Sequence, residues 1–305
     1  IGGSAGAKHV AKMLGVNGGL TSINLSENAL CGVVQSFGGV SGTYTAEGIT
    51  AIADALRVNG GLTSIDLSGN QLCGIWTDDD GDQHGTYTAE GITAIADALR
   101  VNGGLTKLSL AINNLMEEGT KAICEALEQN RTLKELDISG GEYHDNIGGS
   151  AGAKHVAKML GVNGALTALN LFSNDLKDEG VSAVCEAIQS NKETKLASLN
   201  FGNNGIHPVG ANAVAAMVAV TGALTALDLS FNDLNDDGVS AVCEAIQNNK
   251  ETKLASLNMG ANSIGPVGAK SVAAMAAVTG GLTKMRYVSP QTGGTFGPKS
   301  LHQNP

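Results

Sequence analysis

The chain has 305 residues, 42% of them apolar and 16% charged, with 42 glycines against five prolines and only 3% aromatic residues. That balance can bury a core in thin layers and excludes a disordered or collagen-like chain. Lys plus Arg is 19 against 29 Asp plus Glu, and a net charge of -10 excludes a sequence-independent nucleic-acid binder, which needs a basic face.

The chain starts at Ile1 inside a repeat and without Met, which reads as a fragment. From Leu20 one pattern recurs, L-x-x-L-x-L-x-x-N-x-L. It runs Leu20, Ile23, Leu25, Asn28, Leu30, then Leu62, Ile65, Leu67, Asn70, Leu72. Further copies span Leu105 to Leu115, Leu166 to Leu176, Leu196 to Ile206, Leu224 to Leu234 and Leu254 to Ile264. Two copies are degenerate: the one from Leu133 loses its Asn, and the one from Leu282 dissolves by Pro290. First leucines are 42, 43, 28, 33, 30, 28, 30 and 28 residues apart, so the plain unit alternates between 28 and 30. A Gly follows the last motif leucine by four residues in plain copies, but by 18 from Leu30 to Gly48 and 19 from Leu72 to Gly91. The first two units therefore carry insertions of 14 and 15 residues, at 31–44 and 73–87.

After each Gly the apolar period changes from 2 to 3.6, as in Val181, Val184, Cys185, Ile188. Each unit is then strand, loop, helix and return. One unit cannot bury its own leucines, so the units must stack, with strands about 4.8 Å apart in a parallel sheet and the wider helices outside. The expected class is α/β: a curved solenoid over 1–287, with parallel strands on the concave face and helices on the convex face, and an irregular tail over 288–305. Each motif Asn comes just after its strand, where backbone groups would otherwise be unpaired inside the stack. A structural ladder of Asn28, Asn70, Asn113, Asn174, Asn204, Asn232 and Asn262 is expected to bridge the turns through side-chain amides. Uncapped ends expose apolar edges, so end-to-end self-association is expected.

The most hydrophobic run, Ala213 to Leu229, is interrupted by Thr221, Gly222 and Thr225 and falls in register with the repeat, so no membrane span is expected. Five cysteines are an odd and sparse set, which fits free thiols in a reducing, cytoplasmic compartment. Cys124, Cys185 and Cys243 lie on apolar helix faces, while Cys31 and Cys73 hold matching places in adjacent units.

This pattern resembles the leucine-rich repeats of the ribonuclease-inhibitor-like class, whose units are about 28 residues long. The resemblance covers Ile1 to about Tyr287. The same class includes the sensing arrays of nucleotide-binding leucine-rich-repeat receptors and the Ran GTPase-activating protein. It implies a protein partner bound on the strand-lined face or the rims. It also implies two rival roles: regulation of a small GTPase, or the ligand-sensing end of a larger immune-type receptor. Two departures stand out, the long insertions and the unchanged duplicates: Gly42 to Thr63 equals Gly85 to Thr106, and Ile1 to Gly18 equals Ile147 to Gly164.

Between the second and third motif apolar positions stand Asn24, Asp66, Ser109, Asp137, Asn170, Asn200, Asp228, Asn258 and Arg286. Such a row of small polar groups with an acidic bias suits a basic partner surface, and it equally suits strands that simply face water. Phe172 and Phe231 break the polar pattern, and aromatic anchors often carry binding energy. The second insertion holds Trp76, Asp78, Asp79, Asp80, Asp82 and His84, a candidate contact loop on the rim. Its aspartates fail the spacing of a calcium loop: with Gly81 in the sixth place the first ligand would be Trp76, so no metal and no cofactor is expected. No H-E-x-x-H or G-x-S-x-G occurs, and in GGTFGPKS, residues 293–300, Pro298 replaces the glycine a phosphate loop needs. The chain reads as a non-enzymatic interaction module.

Overall fold

The computed structural model describes residues 3–36, 39–77, 83–141 and 146–287. The chain opens with α1 (Gly3–Val16) and β1 (Ser22–Asn24), followed by a hairpin of β2 (Val34–Ser36) and β3 (Gly39–Ser41). Next come α2 (Glu47–Val58), β4 (Ser64–Asp66) and a second hairpin, β5 (Ile75–Thr77) and β6 (Gln83–Gly85). Plain alternation follows: α3 (Glu90–Val101), β7 (Lys107–Ser109), α4 (Met116–Leu127), β8 (Glu135–Asp137), α5 (Gly149–Leu160) and β9 (Ala168–Asn170). It continues through α6 (Lys177–Ser190), β10 (Ser198–Asn200), α7 (Pro208–Val220), β11 (Ala226–Asp228), α8 (Asn235–Asn248), β12 (Ser256–Asn258), α9 (Pro266–Val278) and β13 (Lys284–Arg286).

Nine three-residue strands form one parallel sheet in the order β1-β4-β7-β8-β9-β10-β11-β12-β13, so neighbours in the chain are neighbours in the sheet. The register puts the middle residues in line, Ile65, Leu108, Leu136, Leu169, Leu199, Leu227 and Leu257, all buried. The helices bury their 3.6-period stripes against these residues, and one apolar core runs the length of the solenoid. Packing is nearest-neighbour throughout, α1 on α2 through α8 on α9.

The helices are of alternating kinds after α3. Those of α4, α6 and α8 begin with an acidic pair, Glu117 and Glu118, Asp178 and Glu179, Asp236 and Asp237, which suits the positive end of a helix. Those of α5, α7 and α9 have no acid in the first turn, and α7 and α9 open with a proline. The acidic kind completes the other kind. Asp178 Oδ1 accepts from the amides of His207 (2.8 Å) and Gly210 (2.9 Å), and Asp236 Oδ1 from those of Gly265 (2.7 Å) and Gly268 (2.9 Å), so each caps the next helix along.

Behind the strands the asparagine carboxamides run from turn to turn. Asn70 Oδ1 accepts from the amides of Asn28 and Leu30, and its Nδ2 donates to Leu25 O and Leu67 O. Asn113, Asn174, Asn204 and Asn232 repeat the arrangement, and Asn262 Oδ1 accepts from the amide of Leu234. The unit from Leu133 does not lose its asparagine, contrary to the expectation from spacing. Asn146 takes the place eight residues after Ile138, with Oδ1 accepting from Asn113 N (3.0 Å) and Leu115 N (3.2 Å) and Nδ2 donating to Leu110 O (3.1 Å) and Ile138 O (3.2 Å). An extra five residues therefore enter between strand and ladder, which accounts for the step of 33 against 28.

A second asparagine row lies at the helix C-termini. Asn59, Asn102, Asn130, Asn163, Asn191 and Asn249 donate Nδ2 back to the preceding helix at Leu14 O, Leu56 O, Leu99 O, Leu127 O, Leu160 O and Val218 O, at 2.6–2.9 Å. Thr221 and Thr279 replace it in two units, and their hydroxyls donate to their own helices, at Met217 O and Met275 O.

Candidate functional site

The concave face is built where each strand ends. The polar residue at the last strand position folds back on the chain: Oδ1 of Asn24, Asp66, Asp137 and Asp228 accepts from the amide and hydroxyl of Ser26, Ser68, Ser139 and Ser230. Asn170, Asn200 and Asn258 do the same with the amides of Phe172, Gly202 and Gly260. One side-chain oxygen per residue thus ends a strand, as Asx turns do. The second oxygen of Asp228 takes Nδ2 of Asn258 (2.8 Å), and Lys107 Nζ pairs with Glu135 Oε2 (3.0 Å) across two strands. The Asn, Asp, Lys and Glu side chains of this row are half-buried or exposed, while Ser139 and Ser230 are buried beneath them.

Just beyond, the chain passes through left-handed backbone immediately before the ladder asparagine, at φ 54° for Ile112, 55° for Ser173, 53° for Asn203 and 56° for Phe231. Small or polar residues tolerate this; for a β-branched residue it is an outlier. Ile112 and Phe231 occupy the same slot, one residue before Asn113 and Asn232, and are 53% and 57% exposed. Phe172, half-buried, lies over Gly202 of the next unit, where an added Cβ would come within 2.9 Å of the ring. The structure thus places Phe172 and Phe231 on the strand-end edge and adds Ile112, whose signal in the sequence was its shared slot with Phe231. A separate row of exposed valines, Val16, Val58, Val101, Val162, Val220 and Val278, marks the opposite edge at the helix C-termini, and spacing alone did not single it out.

The two insertions are antiparallel hairpins rooted in the ladder edge. Trp76 pairs with His84, their rings 6.2 Å apart and 23° from parallel, and Ile75 O accepts from Asn114 Nδ2 (3.1 Å) of the next unit. Asp78, Asp79, Asp80 and Asp82 lie outside the described residues. At each hairpin base a tyrosine reaches forward one unit. The hydroxyl of Tyr44 donates to Leu72 O (2.9 Å), and that of Tyr87 donates to Leu115 O (2.8 Å) while accepting from Gly119 N (3.1 Å). Burial pushes both phenols above their ordinary range.

All five cysteines are free and buried. Burial pushes the thiols of Cys31 and Cys243 up to about 12, and raises Cys73, Cys124 and Cys185 as well, so none is a nucleophile at neutral pH. Among the described residues no three His, Cys, Asp or Glu side chains converge on a metal-sized space, and no helix is long and apolar enough to cross a membrane.

A family model described as "Leucine Rich repeat" matches residues 165–185 and 224–243, two successive passages from strand through asparagine turn into helix. Human NACHT, LRR and PYD domains-containing protein 13 is 35% identical over 136 residues, 44% of this chain and 12% of that protein. Ribonuclease inhibitor of Sus scrofa is 30% identical over 150 residues, 41% of this chain and 33% of that protein. The matched segments thus span only a small part of those relatives. The leucine-rich repeat-containing protein LegL7 of Legionella pneumophila shares the fold, with a TM-score of 0.51 over 93% of this chain and 87% of that one at 15% identity. With strand, asparagine turn and helix repeated along one parallel sheet, the chain is a leucine-rich repeat solenoid, and its sequence is similar to proteins of the ribonuclease-inhibitor-like class.

Proposed function

We propose that this solenoid is a non-enzymatic binding module that takes a protein partner on its concave face and ladder edge. The observation that carries the reading is Ile112 and Phe231, apolar side chains held in left-handed backbone and more than half exposed. Strain of about 1–2 kcal/mol at such a residue needs a compensating use, and contact with a partner supplies one. Phe172 extends the apolar edge, and the outward oxygens of Asp66, Asp137 and Asp228 beside Asn24, Asn170, Asn200 and Asn258 favour a basic partner surface. The hairpin with Trp76 and His84 stands on the same edge and offers a second contact. Free buried thiols fit a reducing, cytoplasmic setting.

The test is affinity capture from a lysate of the source cells, comparing the chain with a variant carrying Ile112→Gly, Phe172→Ala and Phe231→Ala. A protein lost from the variant sample, with its capture weakened by salt, supports the reading; a small GTPase among the losses would shift it toward the regulator role. Identical captures would sink it.

A further inference from the structure

The returns from helix to strand all lie on one rim, and from α3 onward they alternate between two kinds. After α3, α5 and α7 the residue before the helix-end Asn or Thr is a valine (Val101, Val162, Val220), and the residue after it is a glycine (Gly103, Gly164, Gly222). After α4, α6 and α8 the same two slots hold Gln129, Ser190 and Asn248, then Arg131, Lys192 and Lys250. A second base follows in each of these loops, at Lys134, Lys195 and Lys253.

The valines face outward. Val58, which repeats the valine kind after α2, is 73% exposed, and Val101, Val162 and Val220 are 62%, 55% and 66% exposed, although each has a unit on either side. The helix-end Asn59, Asn102 and Asn163 turn their amides inward onto the preceding helix, so the residue before each is directed away from the core. Burial does not explain these valines, and neither does helix propensity, which a β-branched side chain lowers.

Among the described residues none of the six bases meets a carboxylate. Arg131 and Lys192 donate to Glu128 O (2.8 Å) and Gln189 O (3.3 Å), as the negative end of a helix favours. Lys195 and Lys253 stand at the strand starts, beyond the last turn where that effect acts, and both are exposed. The carboxylates of the same units open α4, α6 and α8 at the opposite rim. Helices α6 and α8 have 14 residues each. At 1.5 Å per residue that separates the rims by about 20 Å, more than twice the screening length of about 8 Å at physiological salt. A partner at the basic rim is therefore not repelled by the acidic one, even in a chain with a net charge of -10.

We propose that this rim is a docking surface for an anionic lipid bilayer. Val101, Val162 and Val220 enter the headgroup layer, and the bases of the loops between them face the headgroup charges. The strands pair in register, so successive returns come level along the rim and can meet one surface together. Valines separated by charged loops form no continuous apolar area for a folded protein to cover, whereas a fluid headgroup layer admits separate projections. No aromatic side chain stands in these returns to stack on a base, which disfavours a nucleic acid. Attachment here leaves the concave face free and does not rest on the reading given above.

The test is flotation of the full chain with vesicles of phosphatidylcholine and phosphatidylserine, against phosphatidylcholine alone, at physiological and at high salt. Binding is expected only to the mixed vesicles, and high salt is expected to release it. Lys195→Glu with Lys253→Glu should lower the partition about twentyfold or more, since each base near an anionic surface contributes about fivefold. Val162→Ser with Val220→Ser should lower it about fivefold or more. The same charge change away from the rim, Lys121→Glu with Lys270→Glu, should leave it within about twofold. All six sites are exposed, and circular dichroism checks each variant. If serine weakens the helix ends, Val162→Ala with Val220→Ala shortens the same side chains on a better helix former. No binding to the mixed vesicles, an equal loss in the control pair, or an unchanged partition in the valine pair would overturn the proposal. So would binding to double-stranded DNA as tight as to the mixed vesicles, since the rim would then recognise polyanions in general.

Discussion

Replacing Asn146 with alanine tests whether the ladder crosses the five-residue insertion as one continuous element. Asn146 is 1% exposed, and its carboxamide holds four backbone groups. One of them, Ile138 O, keeps a second donor in Asn174 Nδ2 (3.0 Å) and stays satisfied. The amides of Asn113 and Leu115 and the carbonyl of Leu110 lose their side-chain partner inside the stack. Three buried groups at about 1 kcal/mol each give a loss of about 3 kcal/mol. Equilibrium urea unfolding followed by circular dichroism measures it, and native-state hydrogen exchange locates it, because the amides of Asn113 and Leu115 should lose protection first. An exposed residue of α4, Lys121, serves as control, and Lys121→Ala should fall within about 0.5 kcal/mol of the parent. An unchanged urea midpoint for Asn146→Ala, with protected Asn113 and Leu115 amides, would refute the reasoning.

Ile112→Gly should raise stability by about 0.5–1 kcal/mol, because relief of left-handed strain exceeds the entropy that glycine adds to the unfolded chain; a lower melting temperature would show that the isoleucine packs usefully at home. Tyr87→Phe removes a hydroxyl that serves Leu115 O and Gly119 N, and a thermal melt should show a loss of about 1–2 kcal/mol, with no loss ruling out the tyrosine as an anchor. Raised thiols are more protonated in the folded chain than in the unfolded one, so their contribution is complete below the ordinary value of 9.0 and is lost as pH climbs toward about 12. Urea midpoints should therefore be flat from pH 7 to 8.5 and fall steeply above 9, and a flat profile to pH 11 would contradict the burial of the cysteines.

Leu20 to Leu282 announced the strands through period 2 and the helices through period 3.6, because side chains that face a core at fixed geometry must recur at fixed spacing. That logic fails where an insertion separates residues that share a layer. Asn146 was missed because it lies eight residues from Ile138 instead of three, although the turn still closes on it. The hairpins were legible as extra length and not as strands, since they pair within themselves and add nothing to the repeat's period. Ile112 went unread because an isoleucine near a strand suggests core, and only its left-handed backbone turns it outward. The oxygens of Asp66, Asp137 and Asp228 looked wholly available in sequence, yet one of each pair is spent on ending its own strand.

The two threonines that interrupt the helix-end asparagine row set the size of a removable block. Across the joint from α6 to α7, Thr221 gives no amide tie to the unit behind it, and Asp178 provides one at the other end of the helices. Across the next joint, from α7 to α8, the tie is Asn249 to Val218 O; across the one after, Asp236 again serves. Joints of two chemistries therefore alternate, and cutting out a single unit would bring together faces that carry the same half of both. Removing 58 residues, the distance from Leu166 to Leu224 or from Leu196 to Leu254, restores every match. In this stretch the array can lengthen or shorten cleanly only in steps of two.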